Sequence, residues 1–500
     1  MNHLLILPVL IPLFMGAILL IAHRMGKPAK RVLSLLATFA LIPVAACLLL
    51  QAGDDQLRVY ALGNWQPPFG IILLLDRLSA LMLLLTSVLA SLSLIYASRG
   101  DDERGPNFHS LFQFQLLGIN GAFLTGDLFN LFVFFEILLI SSYVLLVHGN
   151  TGERVKAGMH YVVLNLLGSS FFLIGVGMLY GLTGTLNMAD LAIKVGQADA
   201  DTAPLIAAAA YFLLVVFALK AAILPLYFWL PRAYSAACAP VAALFAIMTK
   251  VGLYAIIRVF TLIFGGAANE LAYLTHDLLW WLAGLTIVAG VFGALAARQL
   301  QVLLAYLVVV SVGTLLAGYA LGNAESLAAA LYYLVHSTLV AGGLFLLADL
   351  ISRQRGDAQG ALLQQAAVQQ PLLLGGLFFI GCISVAGLPP FSGFLGKVML
   401  LRAVLDEGQA QLLWPILLVG GFGLIIALSR AGSALFWAGQ QAPAVTQKAD
   451  PVRLLATVGL LSGSVVLVIA AQPISAYMQA TAEQLMNLQP YLAIVRGGEA

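Results

Sequence analysis

Apolar residues run through this chain in blocks of eighteen or more, broken by short polar or Gly/Pro-rich stretches, with no alternation of apolar and polar positions inside the blocks. Roughly 20 apolar residues cross a bilayer as a helix. Backbone polar groups in lipid must pair internally, and without a period-2 pattern a barrel is excluded, so the blocks predict transmembrane helices. About fourteen spans follow, near 3–22, 31–50, 71–96, 109–126, 128–148, 158–181, 204–230, 235–262, 275–296, 302–321, 325–350, 372–401, 411–436 and 453–472. The fold class is therefore an all-α polytopic membrane protein, one transmembrane domain over residues 1–500. The longest connections, near 182–203, 351–371 and 437–452, are too short for a soluble domain, and the first two have room for a surface helix.

Composition agrees. Hydrophobic residues make up 61% and charged residues 9%, against roughly 45–50% and 25% in soluble domains. In the first block the basic cluster Arg24, Lys27, Lys30 and Arg31 follows the apolar run Leu4–Ala22, which reads as a retained helix and not a signal peptide. Cys47, Cys238 and Cys382 stand singly in apolar segments, so neither disulfides, a metal site nor a redox centre is indicated. A net charge of +2, without a basic run interleaved with aromatics, sets nucleic-acid binding aside.

Orientation follows from loop charge, because Lys- and Arg-rich loops stay in the cytoplasm. Loops after odd-numbered spans hold 15 of the 24 basic residues, whereas loops after even-numbered spans, with span ends and tail, hold 6: Arg58, Arg77, Lys194, Arg258, Arg402 and Arg496. Odd loops inside would put both termini outside. The remaining three, Lys220, Lys250 and Lys397, fall inside spans together with Glu136.

An ionisable residue at that depth costs roughly 2.5–3.5 kcal/mol, and four unshielded ones roughly 10–14 kcal/mol. They must face one another or a wet interior. A static salt bridge between Glu136 and one lysine would leave two lysines unexplained, whereas a proton or ion pathway needs several titratable groups in series. Prolines cluster nearby: Pro225 and Pro231 after Lys220, Pro240 before Lys250, and Pro389-Pro390 before Lys397. Proline breaks helix hydrogen bonds, and such breaks at membrane depth are tolerated where freed carbonyls are buried or line a cavity. Two broken spans with a buried lysine, one in each half, are the pattern of transporters built from inverted repeats.

His336 lies mid-span and suits a proton relay, since an unperturbed histidine titrates near pH 6.5; packing is the other reading. His3, His23, His109, His148 and His276 fall near span ends and read as interfacial, as does Asp349, while His160 is open. Asp76-Arg77 reads as a helix-start pair and Asp127 as a solvated turn.

Phe135-Glu136-Ile137-Leu138, the run Leu219-Lys220-Ala221-Ala222 through Pro225 to Pro231, Lys250-Val251-Gly252-Leu253-Tyr254, and Leu388-Pro389-Pro390-Phe391-Ser392-Gly393-Phe394 with Lys397 resemble the antiporter-like superfamily. That superfamily includes the large membrane subunits of respiratory complex I and of Mrp-type cation/proton antiporters. Trp65 to Ile71 leading to Asp76-Arg77-Leu78-Ser79 is similar to the D-type branch of the Mrp antiporter subunits, including its Pha-type potassium/proton form. The resemblance implies two inverted repeats of five helices, at 109–262 and 275–436. It also implies a proton relay in which Glu136 and Lys220 are the coupling pair, Lys250 the connecting lysine, and His336 and Lys397 the second-half members. Many members carry a second histidine and a lysine where this chain has Ser337 and Ala341, which raises the weight on His336 and Lys397.

Two functions compete. One is a proton-translocating subunit that exchanges protons against Na⁺ or K⁺ with other subunits of a complex in a bacterial inner membrane, using no cofactor. The other is a proton-pumping membrane subunit of a redox-driven complex. A lipid or glycan flippase would need a wide polar cleft, and separate charges on separate helices suit a narrow proton wire better.

Overall fold

A computed structural model, describing residues 3–22, 24–363, 367–405, 408–437 and 448–495, turns the apolar blocks into helices. His23 and Arg496 lie outside the described residues. Helices α1 (Leu7–Ile21) and α2 (Lys27–Gln51) form an outer hairpin. A short antiparallel pair follows, β1 (Arg58–Ala61) in the connection and β2 (Ile72–Leu75) at the start of the stretch predicted as a third span. Helix α3 (Arg77–Ala97) begins only after it, because Asp76 accepts from Ser79 N and Ser79 Oγ accepts in return from Asp76 N, a capping box that fixes the helix start.

Next come α4 (Phe108–Leu124), α5 (Leu128–Val147, capped by Asp127) and the long α6 (Gly152–Thr183). A short buried helix, α7 (Met188–Val195), fills the connection at 182–203. The following span is broken into α8 (Ala203–Ala221) and α9 (Trp229–Ala236), and the next into α10 (Ala239–Phe245) and α11 (Met248–Leu262). Helices α12 (His276–Ala296), α13 (Leu300–Ala320) and α14 (Ala324–Gln354) are continuous. A further broken span gives α15 (Pro371–Ala386) and α16 (Ser392–Ala403), followed by α17 (Ala410–Gly432), α18 (Pro451–Ile469), α19 (Ala471–Met486) and α20 (Gln489–Ala493).

Among the described residues, 12 stretches are long and apolar enough to cross a membrane. The other two of the predicted spans, 109–126 and 372–401, correspond to the 17-residue α4 and to the α15–α16 pair. Burial grades from edge to centre. The apolar window of α10–α11 is 100% buried and that of α14 is 89%, against 33% for α1, α2 and α17. Outer helices can leave their apolar side chains to lipid, whereas charged groups within spans are expected to face the interior of the bundle.

The charged loops sort onto two faces. On one, Asp101 meets Arg104, Arg353 and Arg453 at 2.9, 3.0 and 3.1 Å; Asp102 and Glu103 pair with Arg31; Arg99 pairs with Asp450. These residues come from the connections after the first, third, eleventh and thirteenth predicted spans, so those odd-numbered loops share a face. On the other, Arg58 pairs with Asp54 and Arg77 with Asp55. Arg258, which the sequence places among span ends, is not in a loop. It lies inside α11, 2% exposed, and its guanidinium grips buried Asp76 through two bonds of 2.5 and 2.9 Å, with Tyr491 of α20 donating to the same carboxylate at 2.7 Å.

Candidate functional site

Lys220 stands on the last turn of α8, where the helix stops because Ala222 adopts a left-handed conformation, φ 61°. Backbone groups freed by the break are taken up locally: Trp229 Nε1 donates to Leu219 O at 2.9 Å, while Leu224 N finds Thr286 Oγ1 at 3.0 Å. Those pairings let the break stay buried. Lys220 Nζ donates to Asn165 Oδ1 at 3.0 Å. The amide is held in that orientation because its Nδ2 donates to Tyr161 O at 2.8 Å. One turn further along α6, the Ser169 hydroxyl donates to Glu136 Oε1 on α5 and lies 3.0 Å from Asn165 O. Among the described residues Glu136 and Lys220 form no ion pair within 4.0 Å; Ser169 and Asn165 stand between them. Glu136 itself is only half-buried, on the outer side of the cluster. A cavity of about 10 Å³, lined by Tyr161, Asn165, Lys220 and Gly252 among others, adjoins the lysine and matches roughly one water position. Gly252 is required here, because a Cβ on it would stand 2.4 Å from Ala221 N and 2.8 Å from Lys220 C.

Lys250 sits in the middle of the most buried of the apolar stretches, 0% exposed, with Nζ 3.3 Å from Ser311 Oγ on α13. Beyond Ser311 lies a cavity of about 20 Å³, bounded also by Tyr333, His336, Ser337 and Ala341 of α14. It is polar on one side and large enough for a water. The small side chains at 337 and 341 therefore leave space between Lys250 and His336.

His336 Nδ1 lies 2.7 Å from Ser392 Oγ, and Ser392 Oγ lies 2.8 Å from Ser464 Oγ on α18. The second-half break begins at Gly387, φ 80°, which ends α15. Lys397 of α16 donates to carbonyls released there, Ala386 O at 2.9 Å and Val385 O at 3.3 Å. A lysine is well placed at such an end, since unsatisfied carbonyls carry partial negative charge. Gly393 admits this packing: a Cβ there would lie 1.8 Å from Ser384 O and 2.8 Å from His336 Nε2.

The five sequence-predicted residues thus fall into three groups, Glu136 with Lys220, Lys250 with Ser311, and His336 beside the Lys397 break. The polar side chains that partner them, Asn165, Ser169, Ser311 and Ser392 with Ser464 behind it, do not stand out in the sequence. Asn165 and Ser169 leave one signal there, a polar pair spaced i, i+4 inside an apolar span. The remaining histidines stay apart: His148 Nε2 contacts Asp101 O at 2.9 Å, His109 Nε2 contacts Asp102 at 3.0 Å, and His276 packs against Tyr273 and Tyr319. Asp349 joins Tyr96 and Arg353 at the charged face. Among the described residues no group of three or more His, Cys, Asp or Glu side chains forms a metal site.

Residues 125–423, which hold Glu136, the broken helices and all three lysines, match the family described as NADH:quinone oxidoreductase/Mrp antiporter, TM. The chain belongs to this family. A similar relative is the probable K(+)/H(+) antiporter D subunit of Rhizobium meliloti (strain 1021), 42% identical over 97% of this chain and 96% of the relative. Another is the Na(+)/H(+) antiporter D subunit of Bacillus subtilis (strain 168), 38% identical over 99% of both chains. Among solved structures, a chain of the Mrp complex from Dietzia sp. DQ12-45-1b superposes with a TM-score of 0.90 at 27% identity, covering 99% of this chain and 100% of the other. Both relatives match this chain almost end to end, so the likeness is not confined to the family core.

Proposed function

We propose that this chain is the proton-translocating subunit of a multisubunit Na⁺ or K⁺/proton antiporter in a bacterial inner membrane, with Glu136, Lys220, Lys250, His336 and Lys397 as its proton relay. The observation that carries the reading is the set of buried and half-buried ionisable groups held on neutral partners, Asn165, Ser169, Ser311 and Ser392 and the carbonyls of the second-half break, with one water-sized cavity beside Lys220 and another between Ser311 and His336. A salt bridge built for packing would pair its charges directly. Here Lys220 and Lys250 end on neutral oxygens, an arrangement suited to proton exchange with water. The broken helices support treating 109–262 and 275–436 as two inverted repeats, each with a buried lysine at or beside its break.

The family covers redox-driven enzymes as well as antiporters. The end-to-end similarity to chains named as D-type antiporter subunits favours the antiporter. The basic loops would face the cytoplasm and both termini the outside; a reporter fused after Arg31 should then give a cytoplasmic signal. The test of function is cation-dependent proton movement in vesicles containing the whole complex. Exchange driven by Na⁺ or K⁺ without an electron donor supports the proposal, and proton movement only during electron transfer overturns it.

A further inference from the structure

Three buried serines meet beside His336: Ser384 near the end of α15, Ser392 at the start of α16 and Ser464 in α18, each at most 1% exposed. Ser464 Oγ lies 2.8 Å from Ser392 Oγ and 3.2 Å from Ser384 Oγ, and it accepts from Ser392 N at 3.3 Å. Ser392 Oγ in turn lies 2.7 Å from His336 Nδ1. The four side chains form one hydrogen-bonded chain, His336 to Ser392 to Ser464 to Ser384, whose third member comes from a helix outside residues 109–262 and 275–436.

Each hydroxyl has a single proton to donate, which gives the chain a direction. While Nδ1 is unprotonated, Ser392 can donate to it. Once His336 is charged, both ring nitrogens are donors, so Nδ1 donates to Ser392 Oγ and the serine's own proton has to turn elsewhere. Apart from His336, the partner of that hydroxyl among the described residues is Ser464 Oγ, and Ser384 Oγ can take the Ser464 proton in turn. The charged groups facing the imidazole are Lys397 of α16 and Lys250 of α11, and Tyr333 of its own helix packs against it. Helices α10, α13 and α15 contain no Asp, Glu, Lys, Arg or His, and the one charged residue of α18, Arg453, is engaged by Asp101. With two cations and no carboxylate among these groups, an imidazolium depends on its hydrogen-bond acceptor. We propose that Ser464 is a positioning residue of the relay, the acceptor that lets the Ser392 hydroxyl turn away so that His336 can hold a proton at Nδ1. This rests on the reading of His336 as a relay member.

The test is the pH profile of Na⁺- or K⁺-driven proton movement in vesicles bearing the assembled complex, a readout that packing alone would not shift. Losing a hydrogen bond to a charged group costs about tenfold in proton affinity, so Ser464→Ala should move the alkaline limb of the profile about one pH unit toward acid. Ser464→Cys, similar in size but with a weakly accepting thiol, should shift it in the same direction and replaces the alanine variant if that one does not assemble. Ser462→Ala, which removes an exposed hydroxyl bonded to Gly459 O on the same helix, should leave the profile in place. An unshifted profile in the Ser464 variants, or the same shift in Ser462→Ala, would overturn the positioning role; if His336→Gln abolishes antiport in the same assay, the relay itself still stands. Wild-type antiport in His336→Gln would instead overturn His336 as a relay member, and the role of Ser464 with it.

Discussion

Lys220 Nζ donates to Asn165 Oδ1 at 3.0 Å, one helical turn before the serine whose hydroxyl holds Glu136. In the proposed relay the coupling between Glu136 and Lys220 would run through α6. Hydrogen bonds to charged groups are worth about 1.5–3 kcal/mol, so losing this one should change the lysine's proton exchange about tenfold or more. Asn165→Leu is expected to cut antiport by at least about tenfold in assembled complex, and Ser169→Ala by less, because water can still reach the half-buried carboxylate. Proton flux in vesicles checks both; wild-type rates for Asn165→Leu would remove α6 from the pathway.

The cavity between Ser311 and His336 holds about 20 Å³ and is bounded by Ala341. Ala341→Val should fill it, since two added methyl groups exceed the space of a single water. The expected result is normal assembly with slower proton movement, whereas Ala341→Ser should retain transport. Equal rates for the valine and serine variants would show that no water passes there.

Burial raises the Asp102 pKa, but the bonds from Arg31 and His109 outweigh it and hold the carboxyl below its ordinary value. A depressed pKa contributes stability that is fully present above the unfolded value of about 3.9 and is lost as the pH falls through the folded one. Asp102→Asn should therefore lower the thermal midpoint of the complex by a constant amount from pH 8 to about pH 5, with the gap to wild type closing below about pH 4. A gap that persists undiminished in acid would mean that packing, not charge, is lost.

Asp76 and Arg258 are almost wholly buried and mutually satisfied. Removing one partner of such a pair costs about 3–5 kcal/mol, whereas replacing both by apolar groups is often neutral. Arg258→Met should strongly destabilise the complex, and Asp76→Leu with Arg258→Met should recover part of the loss. A double variant no better than the single would show that Tyr491 and the capping role of Asp76 dominate.

Much of this is legible in the sequence because lipid enforces simple rules. Long apolar blocks have to be helices, and charges stranded inside them have to mark a site, which is how Lys220, Lys250, Lys397 and Glu136 stand out. Three things are not legible. Strand β2 reads as part of a span because Ile72–Leu75 is as apolar as a helix and only the Asp76 cap marks the change. Arg258 reads as a span end because a buried guanidinium is recognised only through its distant partner, 182 positions away. The serines and the asparagine of the proposed relay escape notice because neutral polar residues are common in membrane helices, and the role proposed for them rests on which oxygen faces which lysine.

The central claim is that Lys220 binds and releases a proton and is more than one end of a fixed bridge. Arginine keeps the positive charge but cannot give up its proton usefully, so substitution separates the two roles. Antiport should be abolished in Lys220→Ala and impaired in Glu136→Gln, with the complex still assembled. The decisive measurement is Na⁺- or K⁺-driven proton movement in vesicles bearing assembled Lys220→Arg complex. The account predicts no antiport; near-normal antiport would contradict it and leave Lys220 as a structural cation.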